Sequence, residues 1–161
     1  MPHVSDERIW ADRVMPASPA EIFAVLCDPD GHVAMDSSGM LQSAEGEPVT
    51  AVGDQFVVHM DREALGDLPM GTYDVTVIIT RHEPDRHIEW TIDGTIKPPI
   101  GHVYGYQLEP LDDERTRVTS YCDWSKADET WKPIFPVIDQ KALRASLGVL
   151  ERAVRRGYPR P

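Results

Sequence analysis

The sequence predicts an α+β fold in which an antiparallel sheet curls around one long C-terminal helix. Two observations at the ends of the chain lead to this prediction. Near the start a strand runs directly into a short capped helix at Ser18, and near the finish residues 137–156 form one amphipathic helix. Nearly every segment between them has the alternation typical of strands. A sheet that meets a long helix only at its end tends to wrap that helix, and we therefore expect a cavity between the two.

The start of the chain predicts one strand and two short helices. The strand covers residues 8–17, where small and apolar side chains alternate loosely with polar ones. Ser18 supplies the N-cap oxygen of the first helix, Pro19 fits its first turn, and Glu21 completes a capping box. An Asp-Pro-Asp-Gly sequence ends this helix, and we expect a second short helical turn over residues 32–36.

Six further strands are predicted in the middle of the chain. Their ranges are 41–48, 55–61, 72–82, 86–93, 101–109 and 116–124. Short polar turns between consecutive strands favour antiparallel pairing. The connection over residues 61–71 is polar, contains Gly and Pro, and is too long for a tight hairpin turn. It is either a lid over the cavity or a surface connection.

The final helix carries a regular apolar stripe, which packs it onto the sheet. The stripe consists of Leu143, Leu147, Leu150 and Val154. Charged residues occupy the opposite side of the helix, and Gly157 is well placed as its C-cap. Gly148 interrupts the helix interior at a cost of about 1 kcal/mol relative to alanine, and it admits a bulky ligand, a facing aromatic ring or close packing.

Charge and hydropathy exclude several classes of function. The 161 residues include 16 basic and 27 acidic side chains, for a net charge of −11, and such a surface repels nucleic-acid phosphates. No stretch approaches the ~20 apolar residues of a membrane span. The charged N-terminus also lacks the apolar core of a signal peptide. We therefore expect one cytoplasmic domain over residues 1–161, with a core of about 7–157, flexible ends, no nucleic-acid partner and no membrane insertion.

No sequence motif predicts a particular reaction or a metal site. Cys27 and Cys122 are expected to be buried thiols in a reducing compartment. The six histidines have no metal-ligand spacing, and neither a phosphate loop nor a nucleophile elbow is present. His82 and His87 flank a turn and are expected to be solvated, while His59 lies outside the apolar phase of its strand. We therefore expect no metal and no cofactor.

Five short segments, in order along nearly the whole chain, together resemble a known family. They are residues 18–23 with Leu26 and Asp28, then 52–56, 108–110, 116–119 and 123–124. The pattern resembles the START-like, or SRPBCC, superfamily with the birch-pollen-allergen fold, and most nearly its polyketide cyclase/dehydrase-like bacterial branch. The resemblance implies a helix-grip fold: a seven-stranded antiparallel sheet curled around the last helix and enclosing a pocket for an apolar molecule. It does not imply catalysis, because members range from lipid carriers to cyclases to co-chaperones.

The inward-facing side chains of the predicted sheet are the candidate ligand-binding set. Several Tyr and Trp residues on one concave face form either a filled core or a pocket with polar handles, because their O–H and N–H groups need partners. Periodicity leaves both alternatives open, and the resemblance favours the pocket. The ligand-binding candidates are Phe56, Met60, Tyr73, Trp90, Tyr104, Tyr106, Cys122 and Trp124 from the sheet, with Leu147 from the final helix.

The catalytic candidates are His102, Tyr104 and Tyr106, which share one strand phase. If the tyrosines face the cavity, His102 lies near its mouth. A Cys122 or Ser120 nucleophile paired with His102 is conceivable, but it lacks a third, orienting group. Two carboxylates are further candidates: Asp36 lies at the expected pocket edge, and Asp123 is expected to make a structural hydrogen bond.

Three functions follow as alternatives. The first is binding of a small hydrophobic or amphipathic molecule, a lipid or polyketide-like metabolite, oriented by Tyr and His groups. The second is a cyclase or aromatase in which His102, Tyr104 and Tyr106 polarise carbonyls or move protons. The third is a regulatory protein-binding module that uses the edge at residues 41–48 or the connection over 61–71.

Overall fold

The computed structural model describes residues 4–5, 7–63 and 70–158 of the chain. The strands of these residues are β1 Val4–Ser5, β2 Arg8–Met15, β3 Leu41–Glu45, β4 Gln55–Asp61, β5 Thr72–Glu83, β6 His87–Asp93, β7 Val103–Pro110 and β8 Thr116–Asp123. The helices are α1 Pro19–Cys27, α2 Pro29–Met35 and α3 Gln140–Arg156. All the strands form one antiparallel sheet in the order β1-β2-β8-β7-β6-β5-β4-β3.

The α+β helix-grip fold expected from the sequence is confirmed. The seven predicted strands are β2 to β8, with bounds shifted by three residues or fewer, and β1 adds two residues at one edge. Helix α3 begins at Gln140, not at residue 137, because the Asp139 carboxylate caps it by accepting the Ala142 amide N–H at 2.7 Å. Residues 64–69, which belong to the connection expected to be either a lid or a surface connection, lie outside the described residues, as do the chain ends at 1–3 and 159–161.

The two short helices meet at a tight corner. The capping box at Ser18 forms as predicted. Asp28 ends α1 and also caps α2, since its carboxylate accepts the amide N–H two residues later at 3.0 Å. For this reason α2 begins three residues before the predicted helical turn. Gly31 allows the corner to close, because a Cβ at this position would lie 2.0 Å from the carbonyl oxygen of Val25.

Helix α3 closes the concave face of the sheet and completes the core. Its three stripe leucines are at most 3 % exposed, and the helix packs on β2, β8 and both short helices. A hydrogen bond from Gln140 Nε2 to the Trp10 carbonyl at 3.1 Å and an Arg13–Glu151 ion pair at 3.0 Å attach the helix to β2. Gly157 ends it at a φ of 77°, as predicted. Among the described residues, no helix is both long and apolar enough to cross a membrane.

The convex face contains a buried polar cluster that corrects the expectation for His87. Tyr121 lies across Gly105 and is 1 % exposed. Its hydroxyl donates to Glu89 Oε2 at 2.6 Å and lies 2.6 Å from His87 Nε2, which therefore donates to it. The solvated position predicted for His87 is wrong, because the Tyr121 ring covers this part of the outer face. Burial and the nearby Arg81 guanidinium lower the pKa of His87.

A double-mutant cycle tests the close contact between Gly105 and Tyr121. Gly105→Ala is expected to destabilise the protein by about 2 kcal/mol, because the new Cβ would lie 2.2 Å from Tyr121 Cζ. In a Tyr121→Val background the same change should stabilise the strand by about 0.5 kcal/mol, since glycine is unfavourable there. Urea unfolding of the four proteins gives the coupling energy. An equal cost in both backgrounds would contradict the contact.

The remaining sequence predictions on polar groups have mixed outcomes. Cys27 and Cys122 are buried free thiols, as expected. His59 lies outside the core, as expected, with its two ring nitrogens each 2.6 Å from a carboxylate, and these hydrogen bonds raise its pKa. The prediction for His82 is wrong, because this residue is partly buried. Its ring packs edge-on against Phe23, and its Nε2 lies 3.7 Å from Cys27 Sγ.

Candidate functional site

The nine predicted ligand-binding residues all belong to the core between the concave face and α3 or pack against it. The buried ones are Phe56, Trp90, Tyr106, Cys122, Trp124 and Leu147. The half-buried ones are Met60, Tyr73 and Tyr104. The assignment of the sheet residues to its inner face is therefore correct, and Leu147 lies on α3, which packs against that face. Their role as ligand contacts stays a prediction.

The half-buried residues gather at one end of the concave face. Met60 at the end of β4 lies opposite Tyr73 at the start of β5, and Tyr104 lies at the start of β7. Ile92 at the end of β6 is half-buried as well. Further along the same strands the inward side chains are fully buried. We call Met60, Tyr73, Ile92, Tyr104 and the neighbouring His102 the open end of the concave face.

His102 brings an unpaired polar atom to the open end. The residue is 9 % exposed, and its Nδ1 is the one buried side-chain nitrogen or oxygen without a hydrogen-bond partner in the described part of the chain. Burial lowers the pKa of His102 below its ordinary value of 6.5, so the imidazole is uncharged at neutral pH. A buried polar group without a partner costs about 1–3 kcal/mol, which a ligand that hydrogen-bonds to it would recover.

Aromatic rings surround His102. The Tyr104 ring meets it edge-on with centroids 5.3 Å apart, and the Phe135 ring lies 5.1 Å away. Phe135 in turn stacks on Trp124 at 5.3 Å and an interplanar angle of 11°. Periodicity gives no indication of Phe135, because this residue lies in a connection between elements. The available signal was an aromatic residue within a Pro-rich segment directly before the final helix.

Away from the open end, the concave face is filled by packed rings. His32 of α2 lies 4.9 Å from Phe56 and 4.5 Å from Trp90, measured between ring centroids. Trp90 stacks on Tyr106 at 5.8 Å. The Nε2 of His32 lies 2.7 Å from the carbonyl oxygen of Leu26, which orients the ring. Of the two alternatives that periodicity left open, a filled core therefore describes this half of the face.

The titratable groups of the concave face favour neutral forms. Burial raises the pKa of the Cys122 thiol to about 12, and it also raises the pKa values of Tyr104 and Tyr106. A protonated thiol is a poor nucleophile. His102 Nδ1 makes no hydrogen bond to Cys122 or Ser120. The geometry thus lends no support to a Cys–His or Ser–His nucleophile.

The two carboxylates selected from the sequence are engaged in structural hydrogen bonds. Asp36 Oδ1 accepts a hydrogen bond from the Ser38 hydroxyl at 2.6 Å, and Asp36 Oδ2 accepts one from the Leu41 amide N–H at 3.1 Å. Asp123 accepts from Arg8 Nε at 2.9 Å, as its expected structural role requires. Both groups therefore hold the ends of strands and turns in place.

Two cavities lie beside this core. One of about 410 Å³ lies at the sheet edge and reaches Met60 and Tyr73 of the open end. A larger groove of about 640 Å³ lies between α2, β3 and the C-terminal half of α3. None of the open-end residues lines the larger groove. These two cavities share Gln42 as a lining residue but otherwise lie against different parts of the fold.

Sequence comparison finds relatives without an assigned activity. No family model matches the chain. The chain is 32 % identical over 112 residues to the uncharacterized protein Rv0088 of Mycobacterium tuberculosis. That match covers 69 % of this chain and 45 % of Rv0088, so the chain spans about half the length of the curated relatives it matches.

Solved structures share the architecture of this protein. Protein CV1439 from Chromobacterium violaceum has a TM-score of 0.65 at 16 % identity, covering 93 % of this chain and 98 % of that one. The Aha1 dimer from Colwellia psychrerythraea has a TM-score of 0.60 at 18 % identity, covering 94 % and 98 %. The AHSA1-like protein from Aeromonas hydrophila has a TM-score of 0.60 at 15 % identity, covering 92 % of each chain. The likeness is one of fold. It transfers neither ligand nor activity.

Proposed function

We propose that this chain binds a hydrophobic or amphipathic small molecule, of lipid or polyketide type, at the open end of the concave face. The observation that supports this proposal is the unpaired Nδ1 of His102, at the end of the sheet where four inward side chains are only half-buried. Apolar ligand surface buried there contributes about 25 cal/mol per Å². A polar group on the ligand then supplies the hydrogen bond that His102 lacks.

The distribution of polar groups at the open end determines how such a ligand is oriented. Met60 and Ile92 offer apolar contact, while Tyr73 and Tyr104 add ring faces and hydroxyl groups. A neutral imidazole pairs with a hydroxyl, an amide or a carbonyl, depending on its tautomer. A molecule with one hydroxyl, amide or carbonyl group on an apolar body can hydrogen-bond to His102 and also pack against Met60 and Ile92. We infer that the polar group lies against His102 and the apolar body lies along the strand ends.

Catalysis of a cyclase or aromatase type is the alternative, and the same histidine supports it. A neutral His102 can accept a proton, and a protonated Tyr104 can donate a hydrogen bond to a carbonyl. Binding is the better supported function, because no described side chain orients the imidazole through Nδ1. Recognition of a partner protein along β3, an edge strand of the sheet, is a third proposal.

A pair of matched tryptophan variants tests the site. Ile92→Trp should weaken the binding of Nile red, an uncharged apolar dye, by about tenfold or more, because the larger ring occupies the open end. Ile78→Trp is the control, since Ile78 is also half-buried but belongs to the opposite phase of the neighbouring strand β5. Fluorescence titration should show its affinity within about twofold of the wild type. Equal affinities of both variants and the wild type, or no binding by the wild type, would refute the site.

Native mass spectrometry of freshly purified protein identifies the natural ligand. We expect a discrete mass excess that disappears when the same sample is denatured. Its value distinguishes a lipid from a polyketide-like metabolite. Ile92→Trp protein should carry less of the excess mass than Ile78→Trp protein, and an equal load on both would place the ligand outside the open end.

A further inference from the structure

The groove between α2, β3 and α3 has the size and floor of a small-molecule site. Its volume of about 640 Å³ is within the range of roughly 300–1,000 Å³ that ligand pockets occupy. We call it the α2–α3 groove. Its apolar floor consists of Val33, Ala34, Val149 and Ala153. Three of these side chains are half-buried and Ala153 is buried, so the floor continues the core outward to the surface.

Two arginines line the same groove. Arg152 and Arg156 are four residues apart on α3, so their side chains leave the same side of the helix about one turn apart. Neither makes a hydrogen bond or ion pair within the part of the chain that the structure describes. Every other described arginine has at least one interaction.

The composition of the chain makes this pair unusual. With 27 acidic against 16 basic side chains, carboxylates are plentiful. Within the described part of the chain, however, none lies within ion-pair distance of Arg152 or Arg156. The negative end of the helix dipole favours cations at this end of α3, and that explains why arginines are tolerated there. The dipole does not explain why an apolar floor runs beside two unpaired guanidinium groups.

The other polar groups of the groove limit what can bind. They are Asp30, Gln42, Ser43 and Tyr158. The Tyr158 hydroxyl is already engaged, since it donates to the carboxylate of Asp28. Asp30 lies on the α2 wall and forms no ion pair with either arginine in the described structure. A ligand with one negative charge at the arginines and an uncharged remainder fits this distribution, because Asp30 repels a second negative charge.

We propose that the α2–α3 groove binds an amphipathic monoanion of fatty-acid type. Its carboxylate pairs with the guanidinium groups of Arg152 and Arg156, which match the geometry of a carboxylate with paired N–H donors. Its alkyl chain lies along the floor formed by Val33, Ala34 and Val149. This site is distinct from the open end of the concave face and does not depend on the function proposed for that end.

Calorimetric titration with dodecanoate, kept below its micelle concentration, tests the proposal. The double variant Arg152→Gln/Arg156→Gln should bind dodecanoate about tenfold or more weakly than the wild type. The matched control is Arg144→Gln/Arg155→Gln, which removes the same charge from the same helix outside the groove. The control should bind within about twofold of the wild type, and dodecanol should bind the wild type about tenfold more weakly than dodecanoate.

Each other outcome overturns the proposal. Equal losses in the two double variants would show that net charge alone attracts the probe. Unchanged binding by Arg152→Gln/Arg156→Gln would show that the groove does not hold the carboxylate. Ile92→Trp should leave the arginine-dependent binding of dodecanoate unchanged; if it abolishes that binding, the probe occupies the open end, so the groove proposal fails while the proposed function stands.

Discussion

Gly31→Ala is expected to destabilise the protein by about 3 kcal/mol or more. The new Cβ would lie 2.0 Å from the backbone oxygen of Val25, and a backbone atom cannot turn aside as a side chain can. Either α2 moves away from the end of α1, or the corner at Asp28 opens. Both responses displace His32 from the rings of the concave face. Urea unfolding followed by circular dichroism measures the loss.

Gly148→Ala is the matched control, because it makes the same chemical change in another helix. No heavy atom lies within 4 Å of a Cβ at this position. Removing a glycine from the helix interior should therefore stabilise the protein by up to about 1 kcal/mol. The two substitutions should act in opposite directions. A stability for Gly31→Ala within about 0.5 kcal/mol of the wild type would refute the tight corner between α1 and α2.

The stability of the wild-type protein should fall as the pH is lowered, in part because of His32. Burial lowers the pKa of this histidine from 6.5 to about 4, against the smaller opposing effects of the Leu26 carbonyl and Asp28. Between these two pKa values His32 is protonated in the unfolded chain but stays neutral in the folded protein. The contribution of His32 to stability is therefore intact above about pH 6.5 and is lost as the pH falls toward about 4.

His32→Gln isolates this effect, since glutamine is neutral and can also hydrogen-bond to the Leu26 carbonyl. Between about pH 7.5 and pH 4.5 the wild type should lose about 2.5 kcal/mol more unfolding free energy than the variant. Comparing the two proteins removes the contributions of the carboxylates and of the other histidines, which both share. Parallel pH profiles would show that His32 is accessible to water in the folded state.

Gly31 and His32 belong to α2, a helix that contributes to the packing of the concave face and to the wall of the α2–α3 groove. His32 faces inward and packs on Phe56 and Trp90, which fill the concave face beyond the open end. Val33 and Ala34, the next two residues, line the α2–α3 groove. A displaced α2 should therefore alter the groove first, while the open end, formed by strand ends, changes less. Dodecanoate and Nile red titrations of Gly31→Ala report on the two sites separately.

Much of the architecture was predictable because it depends on local chemistry. The capping residue Ser18 begins α1, the spacing of the α3 leucines selects the face of that helix, and strand alternation assigns the inward residues. These signals involve residues that are close in sequence, so they do not depend on which distant segments pack against them. The first residues of α2 and α3 were less predictable, because several polar residues near each start could serve as the N-cap. Only the structure shows that Asp28 and Asp139 do so.

The depth of each inward residue was decided by the tertiary structure alone. Tyr104 and Tyr106 share one phase of one strand, yet the first is half-buried at the open end and the second is stacked on Trp90. Periodicity selects a face of the sheet, but it carries no information about which distant segment covers that face. The same reason explains why His87 is buried under Tyr121 and why Phe135 packs against His102. The unpaired imidazole and the arginine-lined groove exist only because helices and strands distant in sequence meet there.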